Sequence, residues 1–228
     1  MAYQSLLVES RGRRILVDTC RGDGRPLPNS RGTVRTNYYA NLTAVVPPSD
    51  VDLVVCTHLH YDHVGWNVMH NGTAWVPTFP NATYLFGREE YEHWAQADRR
   101  HPNVDLTYGV DVVLRAGRHQ FVEPGHALTD DVALVPTPGH SPGHLSVRIR
   151  SQGQEGWITG DAVHHPIQLV ETQLANRVDL SPDLAVDTRQ RLAAHLAETG
   201  ALIIGTHFAG PAGHLRPDGG LMQFVPAW

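Results

Sequence analysis

The chain has 228 residues, a mass of 25.2 kDa, 41% hydrophobic and 18% charged residues. These values suit one soluble globular domain over 1–228, or one α/β domain in two halves, with a substantial core. Its net charge of −5 with histidine neutral leaves no electrostatic footprint for nucleic acid or an anionic membrane, and the complete absence of lysine excludes Schiff-base and lysine general-base mechanisms.

The opening, Met1 to Val8, lacks the basic start and apolar stretch of a signal peptide, and no run approaches a membrane span. The expectation is a cytoplasmic protein acting on a small molecule, with neither nucleic acid nor membrane as partner. A shortened N-terminus leaves location open, and oligomeric state, a homodimer included, is open too. Gln4 to Val8 and Arg13 to Asp18 read as strands across the turn Ser10-Arg11-Gly12, followed by a loop rich in Arg, Gly and Pro from Arg21 to Arg35. Tyr38 to Val45 reads as a short helix. Val51 to Cys56 is short, β-branched and bounded by Pro47-Pro48, and reads as a buried strand. Trp75 to Pro80 is aromatic and proline-rich, a pocket wall or a packed loop.

Thr83 to Phe86 reads as a strand leading into a helix from Gly87 to Trp94, with acidic residues in its first turn. Val110 to Leu114, Gln120 to Val122, Val132 to Pro136, Leu145 to Arg150 and Gly156 to Thr159 read as further strands. Ser181 with Pro182 opens a helix to about Glu198, with Leu184, Thr188, Leu192 and Leu196 on one face. Ala201 to Gly205 is a buried strand. Of the two cysteines, Cys56 falls in the core strand and Cys20 is given a packing role; His93, His101 and His195 are placed at the surface.

The chemistry gathers after the strand that ends at Cys56. Thr57-His58-Leu59-His60-Tyr61-Asp62-His63 places three imidazoles and a carboxylate on a loop leaving a strand's C-terminal end, where open α/β sheets build their sites. In an extended loop His58 and His60 point the same way and reach one ion, while Asp62 and His63 face the next turn. An N/O donor set of this kind suits zinc, manganese or iron(II) better than calcium. The H-x-H-x-D-H pattern would arise by chance in such a composition at roughly half a percent, so scattered surface histidine is the weaker reading.

At these residues the chain resembles the metallo-β-lactamase-fold hydrolases. Later motifs of that family follow in order: Thr137-Pro138-Gly139-His140-Ser141-Pro142-Gly143-His144, Thr159-Gly160-Asp161 and Gly205-Thr206-His207, with Asp18-Thr19 matching an early aspartate. The resemblance implies an αββα sandwich of two mixed β-sheets with helices outside. It implies that His58, His60 and His140 hold one metal, that Asp62, His63 and His207 hold a second, and that Asp161 bridges them. Two divalent ions, zinc first and manganese, iron or cobalt as alternatives, would bring a shared water towards neutrality as nucleophile. Asp62 and His164 are the candidate catalytic residues, and His144 and Asp18 the candidates for orienting ligands. Larger members of the family carry additional strands before the region where this chain starts.

The resemblance also separates subfamilies. Zinc β-lactamases lack the bridging aspartate, flavodiiron relatives carry a carboxylate where His60 stands, and glyoxalase II relatives add a C-terminal helical domain for which only a short tail remains after His207. The remaining neighbours are the quorum-quenching lactonases and the methyl parathion hydrolase group, and the phrase Gly160-Asp161-Ala162-Val163-His164-His165-Pro166 looks more like the latter. In the best-known lactonases a tyrosine stands where His164 does. The expected function is therefore a dinuclear zinc hydrolase opening an ester-like bond, a lactone first, with aryl ester or organophosphate triester hydrolysis as side activities. The alternatives are a phosphodiesterase or nuclease of the same fold, and a metal-dead binding module.

Overall fold

The computed structural model describes residues 2–24, 35–97, 106–210 and 212–227. Most of the Arg21–Arg35 loop, and His101, lie outside the described residues. Contacts gather the chain into two compact units, Tyr3–Val122 and Glu123–Trp228 with Met1–Ala2. Each carries one mixed sheet.

In the first unit, β1 (Leu6–Ser10) turns through Arg11 and Gly12 into β2 (Arg13–Val17). There follow α1 (Tyr38–Thr43), β3 (Leu53–Cys56), α2 (Tyr61–Val64), a hairpin of β4 (Val68–His70) and β5 (Trp75–Pro77), β6 (Thr83–Gly87), α3 (Arg88–Gln96), α4 (Asp111–Arg115) and β7 (His119–Val122). The sheet order is β1-β2-β3-β6-β7, with β1 antiparallel to β2 and the other neighbours parallel. All four residues of β3 are buried, because a central parallel strand is covered on both faces and tolerates a continuous apolar run. That strand ends directly at Thr57 and the histidine cluster.

Two expectations change here. Val110 to Leu114 is not a strand: Val110 caps α4 and Val113 lies within it, both fully buried. A five-residue β-branched run cannot by itself distinguish a strand from a buried helix turn. Trp75 to Pro80 is β5 and the turn after it, with Phe79 fully buried. Asn71 Oδ1 closes that hairpin by accepting the N–H groups of Thr73 and Ala74.

The second unit runs β8 (Val132–Pro136), β9 (Leu145–Ser151), β10 (Gln154–Ile158), α5 (Ile167–Val170), α6 (Pro182–Thr199), β11 (Leu202–Ile204), β12 (Ala212–Asp218) and β13 (Leu221–Pro226). Its sheet order is β13-β12-β11-β10-β9-β8, and only β10 and β11 are parallel, joined by the crossover that contains α6. Leu192, Ala193 and Leu196 of α6 pack with Trp157, Ile203, Phe208 and Leu215 as the core. Of the four residues expected on one face, Thr188, Leu192 and Leu196 are buried and Leu184 faces solvent, with Ala185 and Arg189 turned inward as well. Steps of four residues drift by about 40° each on a helix, so a row from 184 to 196 cannot stay on one face. Gly200, at φ +63, ends the helix in the left-handed conformation that glycine adopts without penalty. The β12–β13 hairpin was not expected from the sequence, where Gly213 and Pro217 argue against a strand. Among the described residues no helix is long and apolar enough to cross a membrane.

Candidate metal centre

Each unit presents its own set of metal-type donors. In the first unit, β3 delivers Thr57, His58 and His60, and α2 delivers Asp62 and His63. His58 Nδ1–H donates to Thr57 Oγ1 (3.1 Å), and the Thr57 hydroxyl donates to Asp18. His63 Nδ1–H donates to Asp18 Oδ2 at 2.8 Å. One buried carboxylate therefore fixes the tautomer of two histidines, directly and through Thr57. With Nδ1 so engaged, His58 turns Nε2 towards His60 Nδ1, 2.9 Å away. Two nitrogens on one tetrahedral zinc stand roughly 3.3 Å apart, so this pair is spaced for a common ion. His63 Nε2 lies 4.0 Å from Asp62 Oδ2, a second pairing of donors.

The loop carrying Asp18 is built for this purpose. Asp18 and Cys20 both have left-handed backbones, at φ +57 and +50. The loop is zipped to α2 by Thr19 N–H to His63 O (2.7 Å), Gly65 N–H to Cys20 O (2.8 Å) and Trp66 N–H to Thr19 O (3.1 Å). Gly65 is required here, since a Cβ would sit 1.9 Å from Gly22 N. Cys20 is buried and accordingly holds its thiol up at about 12, so it packs and does not ionise.

In the second unit, the Thr137–His144 loop, the turn after β10 and the segment after β11 bring four side chains together. Asp161 Oδ2 lies 3.3 Å from His140 Nε2, and Asp161 Oδ1 lies 3.1 Å from His207 Nε2. The two oxygens of one carboxylate thus face two different histidines, at separations that fit ligands of two ions. The Asp161 N–H donates to His144 Nε2 (3.0 Å), whose Nδ1–H donates to Thr137 Oγ1 (2.8 Å). His144 therefore anchors the backbone of Asp161. His207 Nδ1–H donates to the Ala2 carbonyl at 2.7 Å.

His164 follows Asp161 by three residues and is 6% exposed. Its Nε2 is 3.1 Å from Asp161 Oδ2, but off the line that a hydrogen bond needs, so both ring nitrogens lack a hydrogen-bond partner. Buried donors without partners are rare, and here one nitrogen converges with a carboxylate oxygen on the same space, as donors do around a cation. Gln168 Oε1 accepts the His164 N–H (2.8 Å) and fixes the turn. His165 accepts from the Ile167 N–H and is structural, while His195 is half-exposed and bonded to Glu155.

One group escaped sequence reading. Asp179 Oδ1 accepts from His140 Nδ1–H at 3.1 Å, and Oδ2 accepts from Arg189 Nη1 (3.3 Å) and the Asn176 N–H (3.0 Å). Burial opposes charge on Asp179, but those hydrogen bonds and the facing guanidinium hold its carboxyl below the usual range. Asp179 is 39 residues from His140, and no local spacing signals the pair.

Comparison with known proteins agrees with this geometry. The profile of the metallo-beta-lactamase superfamily matches residues 2–207. The N-acyl homoserine lactonase AttM of Azorhizobium caulinodans is 33% identical over 175 residues, 71% of this chain and 60% of that protein. The N-acyl homoserine lactonase AiiA of Bacillus thuringiensis subsp. kurstaki is 30% identical over 105 residues, 46% of this chain. The match spans only 35% of the Bacillus protein's length. Among solved structures, the hydrolase AbOPH of the beta lactamase superfamily superposes with a TM-score of 0.80 at 26% identity, covering 99% of this chain and 79% of that one. AidC, a dizinc quorum-quenching lactonase, gives 0.79 at 22% identity, covering 100% and 80%, and supports the fold. With its mixed sheets, its ordered metal motifs and a profile match over nearly its whole length, the chain belongs to the metallo-β-lactamase superfamily.

Proposed function

We propose that the protein is a dinuclear metal-dependent hydrolase that opens an ester-like bond, a lactone first. His58, His60 and His140 would hold one divalent ion, and Asp62, His63 and His207 the other, with Asp161 available to both. Zinc is the first candidate ion, ahead of manganese, iron or cobalt. The observation that carries this reading is Asp161, whose two carboxylate oxygens face His140 and His207 separately. When bound, two such ions supply an acidified water and polarise the substrate's carbonyl or phosphoryl oxygen.

The chain's own residues do the rest. Asp18 keeps His63 directly, and His58 through Thr57, in the tautomer that a ligand needs. Asp62 and His164 are the candidates for handling protons and for contacting the substrate oxygen. The first unit also contains a pocket of about 640 Å³, lined mainly by apolar atoms of Tyr3, Leu7, Leu16, Leu42 and Val45. Cys20 and Arg21 also line it, and it suits an apolar chain attached to the reacting ester. The lactonase names of the relatives point the same way.

The test is elemental analysis of zinc-supplemented protein with a hydrolysis screen on the same preparation. We expect two metals per chain, and turnover of acyl-homoserine lactones above that of aryl esters and paraoxon-type triesters. Less than one metal per chain, or cleavage of bis-aryl phosphodiesters alone, overturns the reading. Asp161→Ala should reduce occupancy below two.

A further inference from the structure

Residues 179–189 grip the loop that carries His140. The Thr188 hydroxyl donates to Pro138 O (2.7 Å), the Ser181 N–H to Gly139 O (2.9 Å) and the Leu180 N–H to His140 O (3.1 Å). Three consecutive carbonyls are thus held by one segment, and Asp179 holds the imidazole of the third residue. Gly139 lies so close to α6 that a Cβ would come within 2.4 Å of the Ala185 backbone.

Arg189 is fully buried, and its Nη1 donates to Asp179 while Nε and Nη2 have no hydrogen-bond partner. A buried arginine with so few bonds is costly to fold, and an apolar residue would fill the same space at less desolvation. Its charge has a clear use only opposite Asp179, and that carboxylate has a clear use only opposite His140.

We propose that Asp179 is the positioning residue of His140, fixing its Nδ1–H tautomer so that Nε2 faces Asp161, and that Arg189 serves by holding Asp179 in place. The proposal rests on reading His140 as a metal ligand. In this role neither residue contacts a substrate or an ion. Their effect passes through the orientation of one imidazole, and the ion bound by His140 alone depends on it.

Two neutral double variants avoid leaving an unpaired buried charge. D179N/R189M keeps an acceptor, because the amide oxygen can replace the carboxylate, whereas D179L/R189M removes it. In metal-free protein, nitrogen-15 NMR of the histidine rings should show His140 as the Nδ1–H tautomer in the wild type and in D179N/R189M. In D179L/R189M both tautomers should appear. By chelator competition, D179L/R189M should bind one of its two zinc ions 10–100-fold more weakly, with the other unchanged. D179N/R189M should stay within about threefold of the wild type, the margin that retains the oriented ring. Equal tautomers and equal zinc affinities in the two doubles would overturn the proposal. If the wild type bound no zinc, the metal reading would fail, while the tautomer of the metal-free protein would still report whether Asp179 sets His140.

Discussion

At the scale of single residues, the Nδ1 atoms of His63, His58, His140 and His207 are already spoken for by Asp18, Thr57, Asp179 and the Ala2 carbonyl. His164 is the exception, with both ring nitrogens unpartnered in a buried position. If it donates to the substrate oxygen or the leaving group, His164→Ala should lower lactone turnover by roughly 10²-fold while metal content stays at two per chain. Aryl esters, whose leaving groups need no proton, should lose less. Equal losses on a lactone and a nitrophenyl ester, or loss of metal, would place His164 among the groups that build the site instead. The metal-type residues were legible because their motifs are contiguous and chemically unusual. Asp179 and Arg189 were not, because an aspartate and an arginine on an ordinary helical segment carry no signal until folding brings them to His140. Cys20 lies between these cases: its left-handed φ of +50 accounts for a position that glycine would fill without strain.

At the scale of elements, two contacts are predicted to dominate. Gly139 combines φ +132 with a close approach to Ala185 of α6. Gly139→Ala should cost about 2–4 kcal/mol of stability, the sum of backbone strain and overpacking. It should weaken zinc binding as well, since it displaces the residue before His140. Urea unfolding and chelator competition on one preparation test both halves of this prediction. Glu155 ties β9, β10 and α6 together, accepting from Arg150 Nε, Trp157 Nε1 and His195 Nε2. Burial raises its pKa, but these three hydrogen bonds outweigh it and bring the carboxyl down to about 2. A carboxyl depressed in the folded state contributes stability that is present above the unfolded value of about 4.3 and is lost as pH falls towards 2. Thermal melts between pH 5 and pH 2.5 should therefore show a steeper loss in the wild type than in Glu155→Gln, and parallel curves would contradict the assignment. The helix α4 shows the limit of pattern reading at this scale. Its valines favour strands, and only the depth of Val110 and Val113 decided for a helix.

At the scale of the whole molecule, metal and fold should be coupled. Buried histidines and carboxylates converge in each unit, and bound ions stabilise only the folded chain. Removing both zinc ions with a chelator should lower Tm by about 16–32 °C, given about 4 kcal/mol for each of two ligands at a thousandfold excess over Kd and 2–4 °C per kcal/mol at this size. An unchanged Tm in a sample shown to have lost two metals would refute the coupling. The sequence by itself determined the family, the mixed-sheet architecture and the metal-type side chains that each unit gathers. Those rest on local chemistry: apolar strands ending in ligand motifs, glycines at tight turns and a composition with no basic surface. The tertiary structure decided what depends on distance along the chain. It set the register that places β12 and β13 on the sheet edge, the inward turn of Ala185 and Arg189 on α6, and the carboxylates that His63 and His140 bond to. The physical reason is that a hydrogen bond between residues 39 or 45 positions apart has no local signature, since its strength comes from burial that only the completed fold supplies.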